Sequence, residues 1–245
     1  MTLAMQSITV VIPAFNEARR ISRSLDRVVA YLEDRESPFE VLVVDDGSTD
    51  GTAATVEAHT GSGVRILRLP ANRGKGAAVK VGVLASTCEM VLISDADLST
   101  PIEEVESLTP WLEEAQVVIA SRQAEGAVVE RNLRRRIASR VFNGALGAMG
   151  LCRGLRDTQC GFKLLDGEVA RILFARMELD GFAFDIELIE LARHYGYTVQ
   201  EVGVVWRLSD ESTVHFVRDT PRMLADAWAV RQRIKRLPAP TPLDG

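Results

Sequence analysis

Four short apolar runs rich in β-branched residues set the architecture: Ile8 to Ile12, Phe39 to Val44, Val64 to Leu69 and Met90 to Ile93. Each has the length and composition of a buried strand. Between the first two, Ile21, Leu25, Val28, Val29 and Leu32 recur at helical spacing within Asn16 to Arg35. Thr52 to Ala58 reads as a short helix. Asn72-Arg73-Gly74-Lys75-Gly76 opens another that runs to about Ser86, and Gln116 to Ser121 reads as a fifth strand. Strands separated by helices are joined by right-handed crossovers, which give a parallel sheet covered on its faces by helices. The expected class is therefore α/β, with a mostly parallel sheet flanked by helices. A chain of 245 residues, 47% of them hydrophobic, can fill the core this requires.

In an open sheet of this kind, ligands bind in the crevice outside the carboxyl ends of the strands. The loops at those ends are distinctive. After Ile93 comes Ser94-Asp95-Ala96-Asp97, followed by Thr100-Pro101 with Glu103 and Glu104, a combination suited to a helix start. Asp95 and Asp97 are separated by one small residue, so both can turn toward a hard divalent cation. Mg²⁺ takes one or two carboxylates together with phosphate oxygens and water. The chemistry these residues suggest is a metal that holds a diphosphate. Three more polar loops share this edge: Pro13-Ala14-Phe15-Asn16-Glu17, Asp45-Asp46-Gly47-Ser48-Thr49-Asp50-Gly51, and Asn72 to Gly76. Each has a plain reading on its own: Asn16 as a helix cap, the second loop as a solvated turn, the third as a flexible lead into a helix. The third loop lacks the Gly-Lys-Ser/Thr spacing of a phosphate loop and does not complete GxGxxG. The convergence of all four on one edge points to a site.

These motifs make the N-terminal half similar to the nucleotide-sugar-binding fold of family 2 inverting glycosyltransferases, the Rossmann-like GT-A type. The matching residues are Val10 to Glu17, Val43 to Thr52, Asn72 to Gly76 and Asp95 to Asp97. The resemblance implies that Pro13, Phe15, Glu17 and Asp46 hold base and ribose, with Asp46 accepting from a pyrimidine N–H. Val44 and Ala96 complete the donor-binding set. Asp95 and Asp97 would hold the diphosphate through Mg²⁺ or Mn²⁺.

The second half narrows the resemblance. Asp157-Thr158-Gln159-Cys160-Gly161-Phe162-Lys163-Leu164-Leu165 and Gly181-Phe182-Ala183-Phe184-Asp185-Ile186-Glu187-Leu188-Ile189 resemble the dolichyl-phosphate β-glucosyltransferases and relatives that use other polyprenyl phosphates. The mannose-transferring cousins differ at the first segment. The implied donor is UDP-glucose and the implied acceptor a polyprenyl phosphate. Asp97, Arg122 and Asp185 form the implied catalytic set, with Asp185 orienting sugar hydroxyls, or acting as base should the acceptor be an alcohol. Arg207 and Ser212 would belong to a loop that closes on the donor diphosphate. Two positions depart from the pattern. Thr213 stands where a lysine often follows that serine, and Ser99 stands where mannose-transferring relatives carry a third metal ligand.

Arg131, Arg134, Arg135, Arg136 and Arg140 crowd one stretch, above a stripe of Leu133, Ile137, Val141, Ala145 and Met149. The cluster is either a solvated face or an anion site, and the resemblance assigns Arg135 or Arg136 to the acceptor phosphate. Pro221 to Leu237 carries Met223, Leu224, Ala227, Trp228, Val230, Ile234 and Leu237 at helical spacing among five basic residues. It is either a membrane-surface helix or a helix docked on the sheet. A net charge of −5 argues against bulk nucleic-acid binding. Three cysteines without a CxxC pair suit a reducing compartment. No leader is evident, and no apolar run approaches the roughly 18 residues that span a membrane. The expected organisation is one domain over 1–237: a nucleotide-sugar half (1–121), an acceptor half (122–217) and a basic helix (218–237), followed by a disordered tail (238–245). The expected location is cytoplasmic, peripheral on a membrane face.

Overall fold

A computed structural model describes residues 6–61, 63–129, 133–207 and 216–238, without the side chains of 133–138, 140 and 216–219. All but the first residue of the expected tail therefore lies outside the described residues. The chain runs β1 (Ile8–Ala14), α1 (Ile21–Asp34), β2 (Phe39–Asp45), α2 (Thr52–Glu57), β3 (Val64–Arg68), α3 (Lys75–Ala85) and β4 (Met90–Ile93). Helical turns over residues 102–113 include α4 (Val105–Leu108) and lead into β5 (Val117–Ser121). Then come β6 (Val128–Val129), α5 (Leu133–Ala148), β7 (Lys163–Asp166), α6 (Gly167–Arg176), α7 (Phe184–His194), β8 (Val199–Gly203), β9 (Val205–Trp206) and α8 (Phe216–Ile234).

The main sheet has seven strands in the order β3-β2-β1-β4-β7-β5-β8, and β6 pairs with β9 as a small second sheet. Every pairing in the main sheet is parallel except those of β7, which runs antiparallel between β4 and β5. The mostly parallel sheet flanked by helices is present, and β7 is the strand that alternation alone does not reveal. It is only four residues long and begins with a lysine, so its sequence carries little strand signal. Its direction decides which edge of the sheet its first residue reaches. Register places Lys163 opposite both Ile93 of β4 and Ile119 of β5. The start of β7 therefore meets the carboxyl ends of its neighbours.

Alternation along the strands sorts the core into two layers. Ile8, Val10, Ile12, Val41, Val43, Met90 and Leu92 pack with Ile21, Leu25, Val28 and Leu32 of α1. Val11, Val44, Val91, Ile93, Val117 and Ile119 face the opposite side, with α3, α5, α6, α7 and α8. The face of α8 that carries Met223, Ala227 and Val230 is buried in this second layer, while Trp228 stays 57% exposed. The apolar face of α8 is thus a docked face.

Two local expectations need correction. Helix α1 begins at Ile21, not Asn16, because Asn16 sits at φ 57° in the left-handed region. Among the described side chains of α5, Phe142 and Leu146 are buried and Val141 is 68% exposed, while Met149, just past the helix, packs against the core. At this point of the helix the core is met by Phe142 and Leu146, one turn apart, and Val141 faces away from it. Among the described residues no helix is long and apolar enough to cross a membrane.

Candidate functional site

The carboxyl ends of β1, β2, β4, β5 and β8 and the start of β7 form one edge, and the loops there bond to one another. Asn16 bridges the first two: its amide donates to Ser48 Oγ at 2.8 Å, and its side-chain oxygen accepts from the Thr49 amide at 3.0 Å. The Glu17 amide donates to Thr52 Oγ1, and the Ala18 amide to Asp50 Oδ2. Asp46 reaches the third loop. Its two oxygens accept from the amides of Arg73 and Gly74, both at 2.8 Å. Burial raises the Asp46 carboxyl above its ordinary range, and the two amides only partly offset this. Phe15 is 42% exposed at the mouth of this cluster. The Glu17 carboxylate pairs with Arg20 within its own loop. Pro13 lies in β1 opposite Val44 of β2, one residue before the loops begin.

On the β4 loop, Asp97 Oδ1 accepts from the Ser99 amide, and the Leu98 amide donates to the Asp95 carbonyl. Ser24 of α1 donates to the Ala96 carbonyl at 2.7 Å, which anchors the turn from below. The turn leaves the Asp95 side chain 40% exposed. Lys75, the first residue of α3, places its ammonium on Asp95 Oδ1. Burial alone would raise the Asp95 carboxyl. The Lys75 ammonium, with Lys163 and Arg122 beyond it, outweighs burial and holds the carboxyl below the usual range. Gly161 lies directly beneath. A Cβ there would press against the Asp95 carboxylate, so a larger residue would push that side chain out of its present place.

Two ion pairs, each with a buried carboxylate, flank the aspartates. Lys163 Nζ lies 2.6 Å from Asp185 Oδ1, with the side chains 1% and 5% exposed, and donates to the Cys160 carbonyl. Burial raises the Asp185 carboxyl, opposed by Lys163 and Lys75. Arg122, just past β5, grips the fully buried Asp157 with Nε at 2.7 Å and Nη2 at 2.8 Å. Burial would raise the Asp157 carboxyl, but Arg122 outweighs it and the carboxyl is held low. The Arg122 guanidinium also lies 5.7 Å from the Trp206 ring centroid. Arg207 is brought in through its backbone, its amide donating to the Ser99 carbonyl at 2.8 Å.

One edge therefore gathers Asp46, Asp95, Ala96, Asp97, Arg122, Asp185 and Arg207. Ser212 lies outside the described residues. Arg135 and Arg136 are in the first turn of α5, and their side chains lie outside the described ones. Lys163, Asp157 and Gly161 are parts of the site that residue-by-residue reading did not single out. Lys163 had a signal, since a lysine leading an apolar strand needs a buried partner.

A divalent cation fits the donor set. Asp95 and Asp97 offer two carboxylates on one turn, and the Lys75 ammonium already stands as a cation against the first. Among the described residues no group of three or more His, Cys, Asp and Glu could form an all-protein cage. Two carboxylates completed by phosphate oxygens are what Mg²⁺ and Mn²⁺ sites at nucleotides use.

Comparison with known proteins places the chain among glycosyltransferases. Residues 9–172 match the family model "Glycosyl transferase family 2". A dolichyl-phosphate beta-glucosyltransferase of Trichomonas vaginalis is 42% identical over 213 residues, 81% of this chain. The chain spans 63% of that relative's length. The dolichyl-phosphate beta-glucosyltransferase of Dictyostelium discoideum is 33% identical over 244 residues, covering 92% of this chain and 74% of the relative. Among solved structures, glucosyl-3-phosphoglycerate synthase from Mycobacterium tuberculosis in complex with Mn²⁺, uridine-diphosphate and glucosyl-3-phosphoglycerate superposes with a TM-score of 0.68. It is 23% identical and covers 97% of this chain and 82% of its own. Mannosyl-3-phosphoglycerate synthase from Rubrobacter xylanophilus gives 0.71 at 20% identity, covering 99% of this chain and 82% of its own. At those identities the likeness speaks for the fold.

Proposed function

The chain belongs to glycosyl transferase family 2, and from that membership we propose that it transfers glucose from UDP-glucose to a polyprenyl phosphate of the dolichyl type, with inversion at the sugar. The observation that carries this reading is the convergence of the β1, β2 and β3 loops, Asp95 and Asp97, and Arg122 on one sheet edge. The names of the relatives supply the sugar and the acceptor, and a uridine diphosphate bound to a protein of the same fold supports the nucleotide.

In this reaction an oxygen of the acceptor phosphate bonds to the anomeric carbon as the bond from that carbon to the diphosphate breaks, and UDP leaves with the electron pair. Pro13, Phe15, Glu17, Val44 and Asp46 form the base and ribose end. Asp95 and Asp97, with the Ala96 backbone between them, would hold Mg²⁺ or Mn²⁺, which when bound neutralises charge on the leaving diphosphate. Lys75 stands against the same carboxylate and Arg122 faces the same region. Both are fixed before substrate arrives, so their charges act without reorganisation. Arg207 and Ser212 belong to the segment that closes over the diphosphate. The acceptor phosphate is anionic at neutral pH, so no base is required. Asp185, held by Lys163, orients sugar hydroxyls. Arg135 and Arg136 receive the acceptor phosphate, as arginine forks grip such groups bidentately. The halves 1–121 and 122–217 divide the work between donor and acceptor within one domain over 1–237. The protein works at the cytoplasmic face of a membrane.

Two observations favour a second reading. The apolar face of α8 is spent on the core, and the structural neighbours include synthases named for phosphoglycerate products. A water-soluble acceptor would not need a lipid-facing helix. A donor and acceptor screen decides: purified protein with Mn²⁺, UDP-glucose or GDP-mannose, and either a short polyprenyl phosphate or phosphoglycerate. Turnover is expected with UDP-glucose and the polyprenyl phosphate. Preference for GDP-mannose would overturn the donor, and preference for phosphoglycerate would overturn the acceptor.

A further inference from the structure

Arg233 belongs to α8, far in sequence from every motif at the site. Its guanidinium has three acceptors on α6, α7 and the segment between them. Nη1 pairs with the Glu187 carboxylate, Nε lies 3.2 Å from Glu178 Oε1, and Nη2 donates to the Arg176 carbonyl. Glu187 is 1% exposed, and its carboxylate also accepts from the amides of Glu178 at 3.1 Å and Leu179 at 2.8 Å. Residues 177–183 are therefore held from one side by a buried carboxylate and a guanidinium.

The other side of the same segment meets the start of α3 and the glycine turn before it. The Asp180 carbonyl accepts from the Ala77 amide at 3.1 Å, and its carboxylate accepts from Arg73 Nη2 at 3.1 Å. The Met177 carbonyl accepts from Lys80 Nζ at 2.6 Å. The approach leaves no room for side chains. A Cβ on Gly74 would lie 2.5 Å from the Asp180 carbonyl oxygen, and one on Gly76 would lie 2.5 Å from that of Leu179. The amides of Arg73 and Gly74 are the two that donate to Asp46.

We infer that Arg233 is a positioning residue for the nucleotide end of the site: through Glu187 it fixes residues 177–183, which set where the Arg73–Gly76 turn stands against Asp46. That this end takes the nucleotide rests on the proposed donor; the mechanical coupling does not. If the pair merely fastened α8 to the core, its loss would loosen α8, or the whole chain, without singling out the glycine turn.

The test uses the full chain without ligand, as wild type, Arg233→Gln, Glu187→Gln and Arg233→Lys, followed by amide hydrogen exchange. In Arg233→Gln and Glu187→Gln, exchange over residues 72–77 and 177–183 is expected to rise about tenfold while β1 and β2 stay protected. Arg233→Lys, which keeps a cation against Glu187, should restore most of the protection. Calorimetric titration should show UDP affinity weakened about tenfold in Arg233→Gln, the size expected when one end of a site loses its preorganisation. Exchange that rises only within α8, or equally across the chain, overturns the inference. Wild-type protein that binds no UDP overturns the proposed donor instead, and the exchange data still decide the coupling.

Discussion

The two halves of the site hold their functional side chains in different ways. At the proposed donor end, motif side chains satisfy the backbone of neighbouring loops: Asn16 takes the Thr49 amide, Asp50 takes Ala18, and Asp46 takes Arg73 and Gly74. At the proposed acceptor end, motif side chains satisfy one another as ion pairs around a buried carboxylate, Arg122 with Asp157 and Lys163 with Asp185. The Asp95–Asp97 turn lies between the two regimes, with one carboxylate on its own backbone and the other on Lys75. Backbone donors keep their position and polarity whatever the pH. Paired side chains can be left with a buried, uncompensated charge when one partner is lost.

The largest expected effect is at the turn between the regimes. Asp97→Ala should lower turnover by about a thousandfold or more, on the order of what a metal and diphosphate clamp contributes. Folding should persist, because the side chain sits in a loop and its removal opens no core cavity. Steady-state rates with and without chelator check this, alongside circular dichroism. Activity that survives in chelator would overturn the metal assignment.

Next is the acceptor-side pair. Lys163→Met leaves Asp185 buried without its cation and should cost about 3–5 kcal/mol of stability. Lys163→Met with Asp185→Leu should recover most of that loss while remaining inactive, since burying two apolar groups in place of a pair is often nearly neutral. Urea unfolding measures both. A double variant no more stable than the single would show that the pair does more than cancel charge.

The same contrast explains what the sequence made legible. The donor loops were legible because their partners are local and their residues are turn formers. Asp46 follows β2 directly and Asp95 stands two residues past the end of β4, so placing the strands placed them. The acceptor-side pairs join residues far apart in the chain, and β7 is inserted antiparallel where alternation predicted nothing. Without β7, Lys163 has no location and Asp185 no partner. Gly161 was readable as part of a motif, but its close approach to the Asp95 carboxylate exists only in three dimensions. In α5, the spacing through Val141 was helical, but the packed face passes through Phe142 and Leu146.

A smaller effect is expected at the donor end. Asp46→Asn keeps one acceptor but replaces one charged bond to an amide with a poorer contact, at about 1–3 kcal/mol. Part of this should appear as a higher Michaelis constant for the nucleotide sugar with little change in kcat. A fall in kcat at constant Michaelis constant would place Asp46 in the chemistry rather than in binding.

The smallest effect on stability, and the one that bears on the acceptor, is at Trp228. On α8, Met223, Ala227 and Val230 are buried, while Trp228 is 57% exposed. On α5, which packs against α8, Val141 is 68% exposed. Isolated exposed apolar residues are ordinary on protein surfaces. A tryptophan on a helix with basic neighbours, however, also suits a headgroup interface, where the ring is half in the acyl region and the cations face anionic lipid. Trp228→Ser should shift stability by no more than about 0.5 kcal/mol, because the ring contributes little to the core. If the acceptor is a membrane lipid, the same change should reduce sedimentation with vesicles containing anionic lipid. High salt should reduce it further by screening the basic residues, the Debye length being about 8 Å at physiological ionic strength. Arg233 does not belong among those residues, since Glu187 and Glu178 already hold it. Equal recovery of wild type and Trp228→Ser with vesicles, at both salt levels, would remove the membrane-surface role from α8 and favour a water-soluble phosphate as acceptor.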